Sequence, residues 1–141
     1  MQEIFIKNEK ELVDFGKKIA TTLQGGDILC LYGDLGAGKT TLTKGVAQVF
    51  GIKQRIKSPT FTLFNVYFIQ LNGKSLKFVH IDAYRLKDED ELLDIGIDDY
   101  LGNTETICVI EWAEKIPNLL KKKKCVEIRI EHAPTGRKIQ Y

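Results

Sequence analysis

An α/β fold, with a mixed β-sheet flanked by helices in one compact domain over residues 1–141, is predicted by three observations. Two continuous apolar runs, Asp27 to Tyr32 and Thr106 to Trp112, read as strands buried on both faces, as parallel strands are. Amphipathic segments stand near them: Leu12, Phe15, Ile19 and Leu23 recur at helical spacing, and so do Leu42, Val46, Val49 and Phe50. The Asn72-Gly73 pair separates two further strand-like runs, Phe61 to Ile69 and Leu76 to Ile81, and so predicts a β-hairpin.

The remaining elements follow in chain order. Glu3 to Lys7 reads as a short first strand. Asn8, three residues before Glu11, is a plausible cap for the first helix, and Gly25 and Gly26 stop it. Gly51 ends the second helix. Asp88 and Glu91 suit the start of a third, with an apolar face of Leu93, Ile97, Tyr100 and Leu101. Ala113 to Leu120 suits a short helix limited by Pro117. Cys125 to Ile130 alternates cleanly as a strand, and Arg137 to Tyr141 reads as an added edge strand.

Composition narrows the function classes. The 141 residues are 43% hydrophobic and 28% charged, an ordinary globular balance that excludes global disorder. A net charge of +2 neither announces a nucleic-acid binder nor argues against one. Cys30, Cys108 and Cys125 form no CxxC pair, so they read as buried reduced thiols of a cytoplasmic protein. No window approaches the eighteen or so apolar residues of a membrane span. The N-terminus lacks the basic and apolar regions of a secretion signal.

Chemistry enters at Gly33-Asp34-Leu35-Gly36-Ala37-Gly38-Lys39-Thr40, which fits G-x-x-x-x-G-K-[ST] at every fixed position. Glycines let the backbone curl so that successive N–H groups point at phosphates. Lys39 supplies a point charge for the outer phosphates, and Thr40 a hydroxyl for Mg²⁺. The following helix turns its positive end toward the anion. Such a match arises by chance in about one of two hundred chains of this length. Here it also lies between a buried strand and an amphipathic helix, the context the motif requires. The fold class is therefore P-loop NTPase-like, the ligands are ATP and Mg²⁺, and Leu35 through Thr41 form the candidate binding segment.

A P-loop needs a second anchor for the metal, usually an acid at the end of an apolar strand. Asp82 ends F-V-H-I-D and Glu111 ends I-C-V-I-E. Spacing does not choose between them, and each also suits a solvated strand end. The hydroxyls of Ser58 and Thr60 either approach the γ-phosphate or belong to a turn opening a strand. His80 reads as a packed core histidine, and Trp112 as a core residue facing away from Glu111. Lys121 to Lys124 reads as a solvated turn rather than a nucleic-acid patch.

Taken together, G-D-L-G-A-G-K-T-T (33–41), S-P-T-F (58–61), H-I-D-A-Y-R-L (80–86), L-L-D-I-G-I-D-D-Y (92–100) and V-I-E-W (109–112) resemble the TsaE family, small ATPases of bacterial threonylcarbamoyladenosine synthesis on tRNA. The resemblance covers nearly the whole chain. It implies that Lys39 binds phosphate and that Thr40, Glu111 and Asp82 surround Mg²⁺, with Lys39, Asp82 and Glu111 as the catalytic set. It implies a switch-like role for Ser58-Pro59-Thr60 and a place beside the nucleotide for Trp112. It further implies TsaD and TsaB as partners, with tRNA met indirectly through them, and an ATPase that is weak alone. Gly136-Arg137 is similar to the family's C-terminal nucleotide-side segment.

Two rival functions fit the same loop. A small-molecule kinase would need an arginine-bearing lid, yet Arg85 is the only arginine of the central region after Arg55. A GTPase-like binding switch would carry the guanine-reading N-K-x-D pattern, which is absent.

Overall fold

Strand alternation divides the apolar side chains between two faces of one sheet. In the strand Ile28–Tyr32 (β2), Leu29 and Leu31 point into one core, while Ile28 and Cys30 point into the other. The computed structural model describes residues 1–57 and 63–141. Its strands are β1 (Glu3–Ile6), β2, β3 (Phe64–Leu71), β4 (Lys74–Asp82), β5 (Thr106–Glu111), β6 (Cys125–His132) and β7 (Arg137–Gln140). They form one seven-stranded sheet in the order β1-β7-β6-β2-β5-β4-β3. The four inner strands β6, β2, β5 and β4 run parallel to one another. β3, β7 and β1 pair antiparallel. The expected mixed α/β sheet is what forms.

The first core lies under helices α1 (Glu9–Ala20) and α2 (Lys39–Val49). Leu12, Phe15 and Ile19 of α1 and Leu42 and Val46 of α2 bury against Phe78, Val109 and Ile128 of the sheet. The second core sets Leu92, Ile97 and Ile116 against Val79, Cys108 and Ile110. α1 begins as its sequence predicts. Asn8 Oδ1 accepts from the Glu11 N–H at 2.9 Å, and Glu11 Oε2 accepts from the Lys7 N–H at 2.8 Å. The hairpin turn is also as predicted: Asn72 and Gly73 both take positive φ, 53° and 78°.

Two glycines bring α1 and α2 unusually close. A Cβ on Gly45 would lie 2.1 Å from the Val13 carbonyl oxygen, and one on Gly16 would lie 2.3 Å from that of Leu42. Backbone therefore meets backbone where α2 crosses α1.

Four expectations need correction. β7 is not an edge strand, because β1 pairs along its outer side; the chain's first strand returns to cover its last. The third helix is only Asp90–Asp94 (α3), cut by Gly96 at φ 85° and followed by a 3₁₀ turn at Ile97–Asp99. Its buried residue is Leu92, while Leu93 is exposed. Ala113 to Leu120 divides into a 3₁₀ turn and the four-residue helix α4 (Pro117–Leu120), with proline in its first turn. Cys30 and Cys108 are buried as expected, but Cys125 is partly exposed at the start of β6. Of the strand expected from Phe61, Phe61 and Thr62 lie outside the described residues.

Candidate functional site

Sheet topology resolves what spacing left open. β2, β5 and β4 are neighbours and parallel, so their carboxyl ends lie side by side. Open α/β sheets bind ligands outside such ends. Leu31 pairs with Glu111 and Glu111 with Asp82, so both acids stand in line beside the loop that leaves β2. Glu111 is one strand from β2 and Asp82 two, roughly 5 and 10 Å at ordinary strand spacing.

One cleft of about 250 Å³ is lined by Leu35, Gly36, Gly38, Lys39, Thr40, Thr41, Asp82, Glu111 and Trp112, with Tyr84. Of the segment predicted from sequence, only Ala37 stands outside it. Ala37 is fully buried and lines an adjoining cleft of about 340 Å³, together with Asn8, Gly136 and Arg137. The two clefts share Gly36, Gly38 and Thr41. Ser58-Pro59-Thr60 lies outside the described residues.

The loop's conformation explains its glycines. Gly36 and Gly38 take φ of 77° and 118°, in the left-handed region that glycine enters at no steric cost. Gly38 caps α2, and Lys39 is its first residue, so the positive N-terminal end of the helix lies at the cleft. Lys39 folds back over its own loop. Its Nζ donates to the carbonyls of Gly33 at 2.5 Å and Asp34 at 3.0 Å, and stands 4.0 Å from the centroid of the Trp112 ring. Burial pushes its pKa down from the usual lysine value, while Glu111, Glu114, Asp82 and Asp34 pull the other way.

Thr40 Oγ1 donates to Glu111 Oε1 at 2.8 Å. The other carboxylate oxygen, Oε2, is 2.5 Å from His80 Nε2. Glu111 and His80 are both buried. Asp82 is half-buried, and its Oδ1 accepts from the Tyr84 N–H at 3.0 Å. These oxygens test whether the residues suit magnesium. The donor set is hydroxyl and carboxylate only, which suits a hard cation. Among the described residues no three His, Cys, Asp or Glu side chains cluster to hold a metal unaided. Mg²⁺ at phosphates asks for less, typically one or two carboxylates alongside the phosphate oxygens. The residues fit.

Trp112 departs from the core place that strand parity predicts and lines the cleft instead. It lies just past β5 at φ 61° and ψ 44°, a left-handed conformation rare for so large a residue. This turn brings the indole back toward the loop, with its ring centroid 4.9 Å from that of Tyr84. A strand-parity argument sent it to the opposite face because parity ends where the strand does. Tyr84, which stands in the H-I-D-A-Y-R-L segment but drew no role from the sequence, also lines the cleft. Arg137 reaches the loop from β7. Its Nε donates to the Ala37 carbonyl at 2.8 Å and a terminal nitrogen to that of Gly36 at 3.2 Å.

The family model of the threonylcarbamoyl adenosine biosynthesis protein TsaE matches residues 6–139. The chain belongs to the TsaE family. Among its relatives is the tRNA threonylcarbamoyladenosine biosynthesis protein TsaE of Haemophilus influenzae, 41% identical over 96% of this chain and 85% of that protein. The Bacillus subtilis protein of the same name is 40% identical, over 89% of this chain and 75% of its own length. The crystal structure of YdiB from Bacillus subtilis superposes with a TM-score of 0.74 at 31% identity, covering 98% of this chain and 82% of that one. In this chain, residues of the P-loop, H-x-D-x-Y-R and E-W segments line one cleft.

Proposed function

We propose that this member of the TsaE family binds ATP with Mg²⁺, hydrolyses it, and thereby supports threonylcarbamoyl modification of tRNA with TsaD and TsaB partners in the cytoplasm. One observation carries the reading: Lys39, Thr40, Asp82 and Glu111, drawn from three separate elements, line a single cleft at the start of α2. Family membership supports the pathway. Among the described residues no helix is long and apolar enough to cross a membrane.

The phosphates lie over the loop N–H groups and the start of α2, and the nucleoside extends into the adjoining cleft beside Asn8 and Arg137. Lys39 leaves the Gly33 and Asp34 carbonyls for the outer phosphate oxygens. Thr40 and Glu111, with Asp82 beside them, would hold Mg²⁺, whose charge offsets that of the phosphates when bound. Asp82, less buried than Glu111, orients the attacking water at the cleft mouth. Trp112 and Tyr84 wall the cleft against solvent.

Arg137 is committed to loop carbonyls, and no lid arginine lines the cleft among the described residues. A cation supplied in trans would complete the charge set, so the isolated protein hydrolyses ATP slowly. The test is phosphate release at fixed ATP while a TsaD–TsaB complex with tRNA is titrated in. A rise with partner is expected. A flat response with a high rate for the protein alone overturns the partner reading, and no ATP binding at all overturns the site.

A further inference from the structure

We propose that His80 is the positioning residue of the metal site: its ring fixes the Glu111 carboxylate so that one oxygen stays turned to Thr40 and the cation. This deepens the magnesium–nucleotide reading above and rests on it.

Consider first what holds Glu111. An ionised carboxylate only accepts hydrogen bonds, so the 2.5 Å contact between His80 Nε2 and Glu111 Oε2 needs the proton on Nε2. The Thr40 hydroxyl binds the other oxygen at 2.8 Å. The carboxylate is therefore pinned from two sides. Rotation that would offer Oε2 to the cleft breaks a bond that is almost wholly out of solvent, where its loss costs most. Oε1 is left beside Thr40, the residue whose hydroxyl the P-loop motif assigns to the metal.

The arrangement does not read as ordinary packing. His80 is fully buried, and its Nδ1 has no hydrogen-bond partner among the described residues. An apolar side chain would fill the same space without an orphan nitrogen. Among the described residues, the ring's one hydrogen bond goes to Glu111. The register shows how β4 delivers it. His80 pairs with Val109 and Asp82 with Glu111, so His80 reaches diagonally across to β5. His80 and Asp82 are two residues apart on one strand and share a face. β4 thus brings one group to hold Glu111 from behind and another to stand beside it at the cleft.

The test compares His80→Gln and His80→Leu with the parent chain. Glutamine can place an N–H near the position of Nε2, while leucine fills the space without a donor. ADP binding in EDTA is measured by calorimetry, and Mn²⁺ binding to the ADP complex by electron paramagnetic resonance. H80L is expected to bind metal-free ADP like the parent while losing about tenfold or more in Mn²⁺ affinity, with H80Q retaining affinity within about threefold of the parent, as for partners that orient metal ligands. Parental Mn²⁺ affinity in H80L, or an equal loss in H80Q, overturns the proposal. Should the variants not fold, the parent's ring ¹⁵N spectrum decides: a protonated Nε2 supports the proposal and a bare one overturns it. A parent that binds ADP with no coupling to Mn²⁺ overturns the metal reading itself, and this proposal with it. Strong coupling in the parent that H80L shares overturns this proposal alone.

Discussion

Replacing Gly45 by alanine should destabilise the protein, although alanine is the better helix former by about 1 kcal/mol. The added methyl carbon would sit 2.1 Å from the Val13 carbonyl oxygen, where ordinary contact begins at 3.4 Å. The obstacle is helix backbone, so relief requires α1 and α2 to part by roughly 1 Å in a packed core. Overpacking of that kind costs about 3 kcal/mol at its upper range, leaving a net loss of about 2 kcal/mol after the helix gain. For a chain of this length that lowers the melting temperature by roughly 8 °C. Gly16 faces the same crossing, with its Cβ position 2.3 Å from the Leu42 carbonyl oxygen. Once one methyl has moved the helices apart, the second meets less resistance, so the double variant should lose less than the two singles together. Thermal melts of G16A, G45A and the pair are the assay. A G45A protein that melts at or above the parent temperature would show that the helices do not meet there, and would refute the reasoning. Because α2 starts at Lys39, hydrolysis should fall as well in the variant that folds.

Three further outcomes are expected. Lys39→Ala should weaken nucleotide binding with and without magnesium, by roughly tenfold to a hundredfold for one lost charged hydrogen bond, whereas Thr40→Ala should weaken it by about tenfold only when magnesium is present; calorimetry with and without EDTA separates them, and identical profiles would contradict the assigned roles. Arg137→Ala should weaken nucleotide binding by roughly tenfold by releasing the Gly36 and Ala37 carbonyls, and Arg137→Lys should recover little, since an ammonium lacks the two-pronged geometry; full binding by R137K would make charge alone the cause. Burial pushes the Cys30 thiol up and that of Cys108 up to about 12, so both hold little thiolate at pH 8 and should resist iodoacetamide until the protein unfolds. The Cys125 thiol is also raised by burial but is partly exposed, and should be alkylated first; mass spectrometry of the native protein checks the order.

Local signals carried much of the fold. Asn8, Gly33, the Asn72-Gly73 pair and the apolar strands act through neighbours in sequence, so their consequences can be read without coordinates. The phosphate loop belongs to the same class. What stayed hidden depended on strand order. Asp82 and Glu111 were equivalent as strand ends until β5 was found between β2 and β4. β7 looked like an edge because its cover, β1, comes from the opposite end of the chain. Trp112 followed the wrong parity because a left-handed residue ends the strand, and no proline or glycine marks that turn. His80 was correctly read as buried. Its contact with Glu111 is a diagonal pairing that needs the β4–β5 register to be known.

The folded-back lysine has a consequence for how binding measurements are read. With its ammonium on the Gly33 and Asp34 carbonyls and over the Trp112 ring, the loop carries an internal occupant that would compete with the phosphates of the nucleotide proposed above. Measured affinity is then an exchange energy, the new contacts less the old ones surrendered. Removing the side chain deletes both sides of that exchange. On the proposed reading, the affinity lost on truncating Lys39 is accordingly smaller than the attraction between its ammonium and the phosphates, and the gap measures how tightly the loop holds its own cation.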